Sequence, residues 1–202
     1  MRYDAEHKQR SRERIIGEAA KAIRSEGPQA ISVAGVMGAA GLTHGAFYAH
    51  FASRDDLLLA GIDRMFEEGR IRVQADLGEG RSAEAALTGY IGFYLSRSHR
   101  DSRTSGCPLP FLAAEAPRLN EAMRERYARG VQNLTDIIAG LLRGMGRPEP
   151  DATAASVLAE MVGAVSLARA EPDADKSCAI LAASRASLKT RLGLEGLRVT
   201  DR

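Results

Sequence analysis

The chain contains no tryptophan and only two cysteines among its 202 residues, and aromatic side chains make up 5% of it. The two cysteines, Cys107 and Cys178, have no Cys-x-x-Cys spacing and no companion histidines. This usage excludes a disulfide framework and a structural zinc site, and it is typical of a reducing compartment. Apolar residues at 45% and charged residues at 27% indicate a folded globular protein rather than a disordered one.

Long apolar runs are also missing. No stretch approaches the ~20 apolar residues that a membrane-spanning helix needs, and residues 1–14 are basic and polar, unlike a secretory signal. We therefore expect a cytoplasmic protein. The net charge is +2, but residues 1–54 carry eight Lys and Arg against five Asp and Glu. This excess at the front of the chain mildly favours a polyanionic partner.

Motifs of catalysis and metal binding are absent as well. The four histidines lack metalloenzyme spacing, and no Gly-x-Ser-x-Gly elbow, phosphate-binding loop or dinucleotide fingerprint occurs. We therefore predict that the protein is not an enzyme and has no catalytic residue, metal ion or cofactor.

Apolar residues recur at spacings of three and four, which predicts an all-α fold of about nine helices without strands. The first helix runs from Arg12 to Ser25, and Ser11 is its expected cap. The segment 96–106 is rich in Arg and Ser and is expected to be a mobile loop. The other predicted helices lie at about 33–40, 44–50, 53–77, 82–96, 109–116, 118–144, 151–170 and 176–192.

Two short helices joined by Ala40-Gly41-Leu42-Thr43, under a longer first helix, predict a helix-turn-helix. Phe47 and Phe51 are predicted to face inward. This leaves a small, uncharged outer surface, which fits a DNA major groove without repulsion. That surface comprises His44, Gly45, Tyr48 and Ala49, with His50 at its edge.

Three hydroxyl residues, Ser32, Thr43 and Ser53, start helices within 22 positions. Helix amino termini present free N–H groups and a positive dipole end, which favour phosphate. Arg54 follows Ser53, and a cation there opposes its own helix dipole unless a phosphate satisfies both. The alternative is that the three helices and their caps are ordinary architecture.

The stretch ISVAGVMGAAGLTHGAFYAHFASRDDLLLAGI, Ile31 to Ile62, resembles the DNA-binding domain of the tetracycline-repressor (TetR) family. The Ala-Gly-Leu-Thr turn, the Phe-Tyr-x-His-Phe core and the Ser-Arg-Asp-Asp-Leu helix start carry the likeness. It covers about residues 8–68, whereas the remainder is similar only in length and helicity. The resemblance implies a DNA-binding domain at 8–68, with its helix-turn-helix at about 32–51, and a ligand-binding and dimerisation domain at 69–195.

The resemblance also implies a homodimer, a palindromic double-stranded operator and repression relieved by a small molecule. By position, Ser32 and Thr43 would contact phosphate, His44 and Gly45 would read bases, and Tyr48 and His50 would contact backbone or bases. Arg54 would also contact DNA, at a position where the family commonly has lysine, so the charge is kept and the donor geometry changes. The second helix departs from the family pattern with Val36-Met37 in place of Ile-Ala, and it lacks an arginine at position 33 or 34.

The family's ligand pocket lies in the central helices, and an aromatic and methionine set here fits an apolar or aromatic ligand. The alternative is that these side chains are ordinary core. The set comprises Tyr90, Phe93, Tyr94, Phe111, Met123 and Tyr127.

Cys107 is a further candidate. It precedes Pro108, a favoured first residue of a helix, with Arg100 and Arg103 nearby in sequence, and such surroundings lower the pKa of a thiol. The stretch GCPLPFLAAE also resembles a segment of TetR-type regulators that sense electrophiles or oxidants. One hypothesis is therefore a reactive sensor thiol, and the other is an inert core cysteine.

The last two long helices are the predicted dimer interface, because their small residues permit close helix packing. The same pattern is compatible with an internal core. A helical ligand-binding protein without DNA function also remains an alternative, and so does activation in place of repression. The residues considered are Ala154, Ala155, Ala164 and Ala168 beside Leu158, Met161 and Val165.

Overall fold

The structure is a computed structural model that describes residues 2–78 and 80–195. Within these ranges it contains nine α-helices, two short 3-10 helices and no β-strand, so the all-α prediction is confirmed. The α-helices are α1 (Arg2–Glu26), α2 (Val33–Ala39), α3 (Arg54–Gly78), α4 (Ala83–Tyr94), α5 (Arg97–Asp101), α6 (Leu109–Leu112), α7 (Glu121–Gly144), α8 (Pro150–Ala170) and α9 (Ala174–Arg191). The 3-10 helices are His44–Ala49 and Ala116–Arg118.

The chain divides into two compact units. The first contains the residues up to Glu68 together with Arg103–Ala128, and the second contains Gly69–Ser102 and the residues from Arg129 onward. The first unit therefore includes a segment from the middle of the chain as well as the predicted DNA-binding domain, which we call the DNA reader. The functional division into 8–68 and 69–195 stays a prediction.

A single apolar cluster holds the first unit together. The predicted stripe of α1 is buried, with Ile15 and Ala19 fully inaccessible, and it packs with α2, α3 and the aromatic pair Phe47 and Phe51. These two rings lie 5.7 Å apart at 1% and 4% exposure, as predicted. A helix of seven residues, such as α2, is not stable on its own in water. The burial of apolar side chains in this cluster is therefore its main stabilisation.

Helix α1 begins ten residues earlier than predicted. Ser11 is not its cap but lies inside the helix at 5% exposure, one turn before the buried Ile15. Residues 2–11 lack an apolar stripe, which is why periodicity gave no signal for them, yet most are good helix formers.

The segment predicted to be a mobile loop, 96–106, contains helix α5. Ser96 caps it by accepting a hydrogen bond from the His99 N–H at 3.1 Å, and His99 itself is 1% exposed. The Nδ1 of His99 lies 2.7 Å from the carbonyl oxygen of Tyr94. Arg169 of α8 donates to the carbonyls of His99 and Arg100, both at 3.0 Å, so a side chain distant in sequence holds this turn.

Two predicted helices are shorter in the structure. The helix expected at 109–116 ends at Leu112, and Arg118, the expected first residue of the helix at 118–144, belongs to the separate 3-10 turn Ala116–Arg118. Helix α7 therefore begins at Glu121.

In the second unit, α8 and α9 pack together, and Ser177 donates to the carbonyl oxygen of Ala168. By length and composition α8 could cross a membrane, with a mean hydropathy of 1.3, but its inward residues form part of this unit's core. The predicted interface residues were largely misassigned. Ala154, Leu158, Met161, Ala164, Val165 and Ala168 are all buried within the unit, whereas Ala155 is exposed.

Candidate nucleic-acid interface and ligand site

The turn between α2 and the 3-10 helix His44–Ala49 is tight because Gly41 adopts a left-handed conformation, with φ at +67°. The N–H of Leu42 then donates to the carbonyl oxygen of Met37 at 2.9 Å, and that of Gly41 to Gly38 at 2.9 Å. Two backbone carbonyls at the end of α2 are thereby satisfied. The predicted helix-turn-helix is present, although its second helix is a 3-10 helix.

The outer face of this 3-10 helix is exposed as predicted. Tyr48 is 72% exposed, and His44, Gly45 and Ala49 are exposed beside it. The ring of Tyr48 meets the edge of the buried Phe47 ring at 5.3 Å, which supports the tyrosine from behind. The surface is therefore uncharged, small and polar, with one projecting phenol.

His50 lies at the edge of this face and is half-buried. Burial, together with the positive charges of Lys8 and Arg12 on α1, lowers the pKa of His50 below its ordinary value. Arg12 lies over the Phe51 ring at 4.5 Å. This part of α1 therefore flanks the end of the 3-10 helix with positive charge.

The three predicted helix starts differ in detail. Ser32 caps α2 by accepting from the Gly35 N–H at 3.0 Å, whereas Thr43 is exposed and its side chain makes no capping bond. Ser53 accepts from the Asp56 N–H at 3.1 Å, and the Asp56 carboxylate accepts from the N–H of Ala52 at 3.2 Å. A hydroxyl can accept and donate at once, so the Ser32 cap is compatible with a phosphate contact.

Arg54 is the first residue of α3, and its side chain folds back toward the turn between α1 and α2. Its Nε donates to the carbonyl oxygen of Ile31 at 3.0 Å, and one terminal nitrogen donates to Pro28 at 2.7 Å and to Gln29 at 3.2 Å. The cation that opposes its own helix dipole thus has three carbonyl partners within the protein.

Sequence reasoning missed Arg24 of α1, whose side chain is only 1% exposed. Its guanidinium donates to the carbonyl oxygen of Gly106 at 3.1 Å and to the Glu68 carboxylate at 2.8 Å. Burial lowers the pKa of Arg24, and Glu68 opposes this shift. The available signal was its position four residues after Ala20, on the apolar stripe of the helix.

The predicted ligand-site residues fall into two groups, each within its own unit. In the second unit, Tyr90 and Tyr94 of α4 are buried and their rings meet at 5.7 Å, whereas Phe93 is half-buried with its ring 5.2 Å from that of His99.

In the first unit, Met123 is buried in the apolar cluster, and Tyr127 packs against it with its ring 6.2 Å from that of Phe66. Phe111 is half-buried and Cys107 is 6% exposed. Burial, and secondly the negative charge that Cys107 carries as a thiolate, raise the pKa of Tyr127.

Two family models match the chain. Residues 15–60 match the bacterial regulatory proteins of the tetR family, and residues 83–176 match the C-terminal domain of LmrA/YxaF-like transcriptional regulators. None of the curated proteins compared with the chain matches it.

Solved structures agree over nearly the whole length. A TetR transcriptional regulator from Chloroflexus aurantiacus J-10-FL is 27% identical, with a TM-score of 0.80 over 93% of this chain and 96% of that one. A TetR-family regulator from Cytophaga hutchinsonii is 20% identical, with a TM-score of 0.81 over 96% and 98%. The reduced form of Escherichia coli NemR is 21% identical, with a TM-score of 0.79 over 89% and 95%.

The exposed helix-turn-helix and the helical remainder define a DNA-binding transcriptional regulator. The chain belongs to the TetR family of ligand-responsive regulators, as both family models and the structural neighbours show. The family assignment implies DNA binding, dimerisation and a small-molecule ligand.

Proposed function

We propose that this regulator binds a palindromic operator as a homodimer, through its 3-10 helix and the residues around it. The observation that carries the proposal is Tyr48, which is 72% exposed on an uncharged face while Phe47 anchors its back at 1% exposure. A phenol held outward in this way can donate a hydrogen bond to a phosphate oxygen or contact a base edge. The proposed DNA contacts are Ser32, Thr43, His44, Gly45, Tyr48 and His50; Arg54, of the same predicted set, donates instead to carbonyls of the protein.

The dimer brings two such readers to half-sites roughly 34–36 Å apart in successive major grooves. We place the interface on the outward faces of α8 and α9, where Ala155, Ala159, Ala182 and Ala183 are exposed and Leu167 is 63% exposed. Small residues on two adjacent helices permit close approach of the same face of a second copy.

The proposed mechanism is a population shift: two dimer states differ in the spacing of their readers, and a ligand that prefers the wider state releases the operator. Within each unit, the aromatic and methionine side chains, Tyr90 and Tyr94 in the second unit and Met123 and Tyr127 in the first, favour an apolar or aromatic ligand. Repression is the proposed sign, and the proposed location is the cytoplasm.

The test is selection of bound sequences from a library of random duplexes with the purified full-length protein. We expect an enriched palindrome with two half-sites, and Tyr48→Ala should weaken binding to it by about 1–3 kcal/mol. Ile71→Ala is a matched control, because Ile71 is also a large exposed side chain, at 54% exposure, and lies on α3 outside the helix-turn-helix. Failure to enrich any palindrome would instead favour a helical ligand-binding protein without DNA function.

A second candidate is a thiol-based sensor of electrophiles that acts through Cys107. The observation in its favour is the position of Arg24, whose buried guanidinium donates a hydrogen bond to the carbonyl oxygen of Gly106, the residue before Cys107. An adjacent cation stabilises a thiolate, which is the reactive form.

The test is the rate of alkylation by iodoacetamide against pH, in which the thiolate sulfur forms a bond to carbon and iodide leaves. Cys178→Ser leaves Cys107 as the sole thiol, and Cys107→Ser gives the control. A midpoint clearly below that of free cysteine supports the sensor, whereas a midpoint at or above it overturns the hypothesis.

A further inference from the structure

The turn between α1 and α2 depends on hydrogen bonds from outside its own backbone. Residues 27–32 connect the end of α1 at Glu26 with the start of α2 at Val33, and they lie outside any helix. Carbonyl groups in such a turn have no helical partners and need donors from elsewhere. Arg54 supplies them for Pro28, Gln29 and Ile31. We call these three hydrogen bonds the Arg54 brace.

We propose that Arg54 is a positioning residue of the DNA reader, which fixes the entry of α2 against the first turn of α3. The inference rests on the proposed DNA-binding function and deepens it. Substitution of Arg54 is then expected to weaken operator binding through loss of the Arg54 brace, and not through loss of a direct phosphate contact.

The reader needs such support because α2 is short and contains Gly35 and Gly38, both unfavourable in a helix. Ser32, its cap, directly follows Ile31, whose carbonyl accepts from Arg54. A shift of Ile31 therefore moves the start of α2, and with it the surface that would meet DNA.

The Arg54 brace requires arginine and cannot be formed by lysine. The planar fork of arginine donates from Nε and from a terminal nitrogen in fixed directions, here to carbonyls from three residues of one turn. A lysine ammonium keeps the charge but donates from a single point, so it cannot reproduce the same set of bonds. A phosphate contact, in contrast, depends mainly on the charge and is served by lysine as well.

These differences define the experiment. Arg54→Lys and Arg54→Gln are compared with the wild type for binding to the selected operator and to poly(dI-dC), at several salt concentrations. Arg64→Lys is the matched control on the same helix, because Arg64 bonds to the carboxylates of Glu68 and Glu13, which lysine also serves. Amide hydrogen exchange of residues 28–36 is measured in the DNA-free proteins.

We expect Arg54→Lys to lose about tenfold in operator affinity, with little change in its salt dependence or in poly(dI-dC) binding, and with faster exchange at 28–36. Operator affinity retained in Arg54→Lys but lost in Arg54→Gln, with a salt slope lower by about 0.9, would show a phosphate contact and overturn the proposal. Normal affinity in both variants would overturn it as well.

A measurement on the wild type covers the case in which the variants do not fold. The Nε–H of Arg54 should exchange slowly with solvent in the free protein, and more slowly than that of the exposed Arg14. Equal exchange of the two groups would overturn the Arg54 brace. If the wild type enriches no operator, the proposed function fails, while both exchange measurements still decide the brace.

Discussion

Replacing Glu68 by alanine should destabilise the first unit more than its exposure suggests. Glu68 is 38% exposed, and an ion pair at such a site usually contributes no more than about 1 kcal/mol. Its partner Arg24, however, is buried, with its side chain 1% exposed. Loss of the carboxylate leaves a buried cation with carbonyl oxygens alone, and breaking a buried pair in this way costs about 3–5 kcal/mol.

The expected cost is near the lower end, about 3 kcal/mol, because solvent reaches the Glu68 side and the Gly106 carbonyl remains bonded to Arg24. Glu13→Ala is the matched control. A carboxylate oxygen of Glu13 lies 3.5 Å from a guanidinium nitrogen of Arg64, and both of these side chains are about half-exposed. Arg64 also pairs with Glu68. Removal of the Glu13 carboxylate should cost less than about 0.5 kcal/mol.

The assay is urea unfolding followed by circular dichroism, with the free energy of unfolding compared among the wild type, Glu68→Ala, Glu68→Gln and Glu13→Ala. Glu68→Gln keeps an acceptor for Arg24 and should fall between the other two variants. Equal stability of Glu68→Ala and Glu13→Ala, within about 0.5 kcal/mol, would refute the reasoning from the buried cation.

Three further predictions concern packing, pH and assembly. Gly61→Ala should destabilise by less than about 1 kcal/mol in urea unfolding, because the added Cβ would lie 2.7 Å from the terminal Cδ1 of Ile23 while alanine has the better helix propensity, and adding Ile23→Val should remove the close contact. His50 has a lowered pKa in the folded protein, so the unfolded state binds its proton more readily, and stability should fall as pH drops below about 6.5; His50→Gln should show a smaller fall in melting temperature. Leu167→Glu should yield monomers in analytical ultracentrifugation, whereas Ile71→Glu, a similarly exposed change on α3, should leave the dimer intact.

The helices with an apolar stripe were predictable because burial imposes a period on the sequence. Ile15, Phe47 and Phe51 are buried as predicted. Because Phe47 and Phe51 lie on the buried side of their helix, Tyr48, the residue next to Phe47, points away from the core. The early start of α1 was not predictable in this way, because its first residues have no buried face to mark. Helix α5 was missed for a related reason: hydrogen bonds to its carbonyls come from Arg169, about seventy positions away in the sequence.

The candidate site was partly predictable. The anomaly at Arg54, a cation at a helix start, was visible in the sequence, and a phosphate was one way to satisfy it. The structure offers another way in the carbonyls of Pro28, Gln29 and Ile31, which no local pattern reveals. The interface residues on α8 were misassigned because small residues permit close packing on either face of a helix, and spacing alone does not say which face meets a second copy.

Three arginines share one chemistry that the sequence alone did not reveal. Arg24, Arg54 and Arg169 each donate to backbone carbonyls of a turn or short helix far from them in sequence. A guanidinium offers five donors in a fixed plane and therefore bonds to several carbonyls at once, whereas an ammonium group does not. In a fold of helices and short connections, the turns lack partners for their carbonyls, and these three arginines provide them. Exchange of arginine for lysine at these three positions should therefore loosen specific turns, while the same exchange at exposed positions such as Arg14 should not.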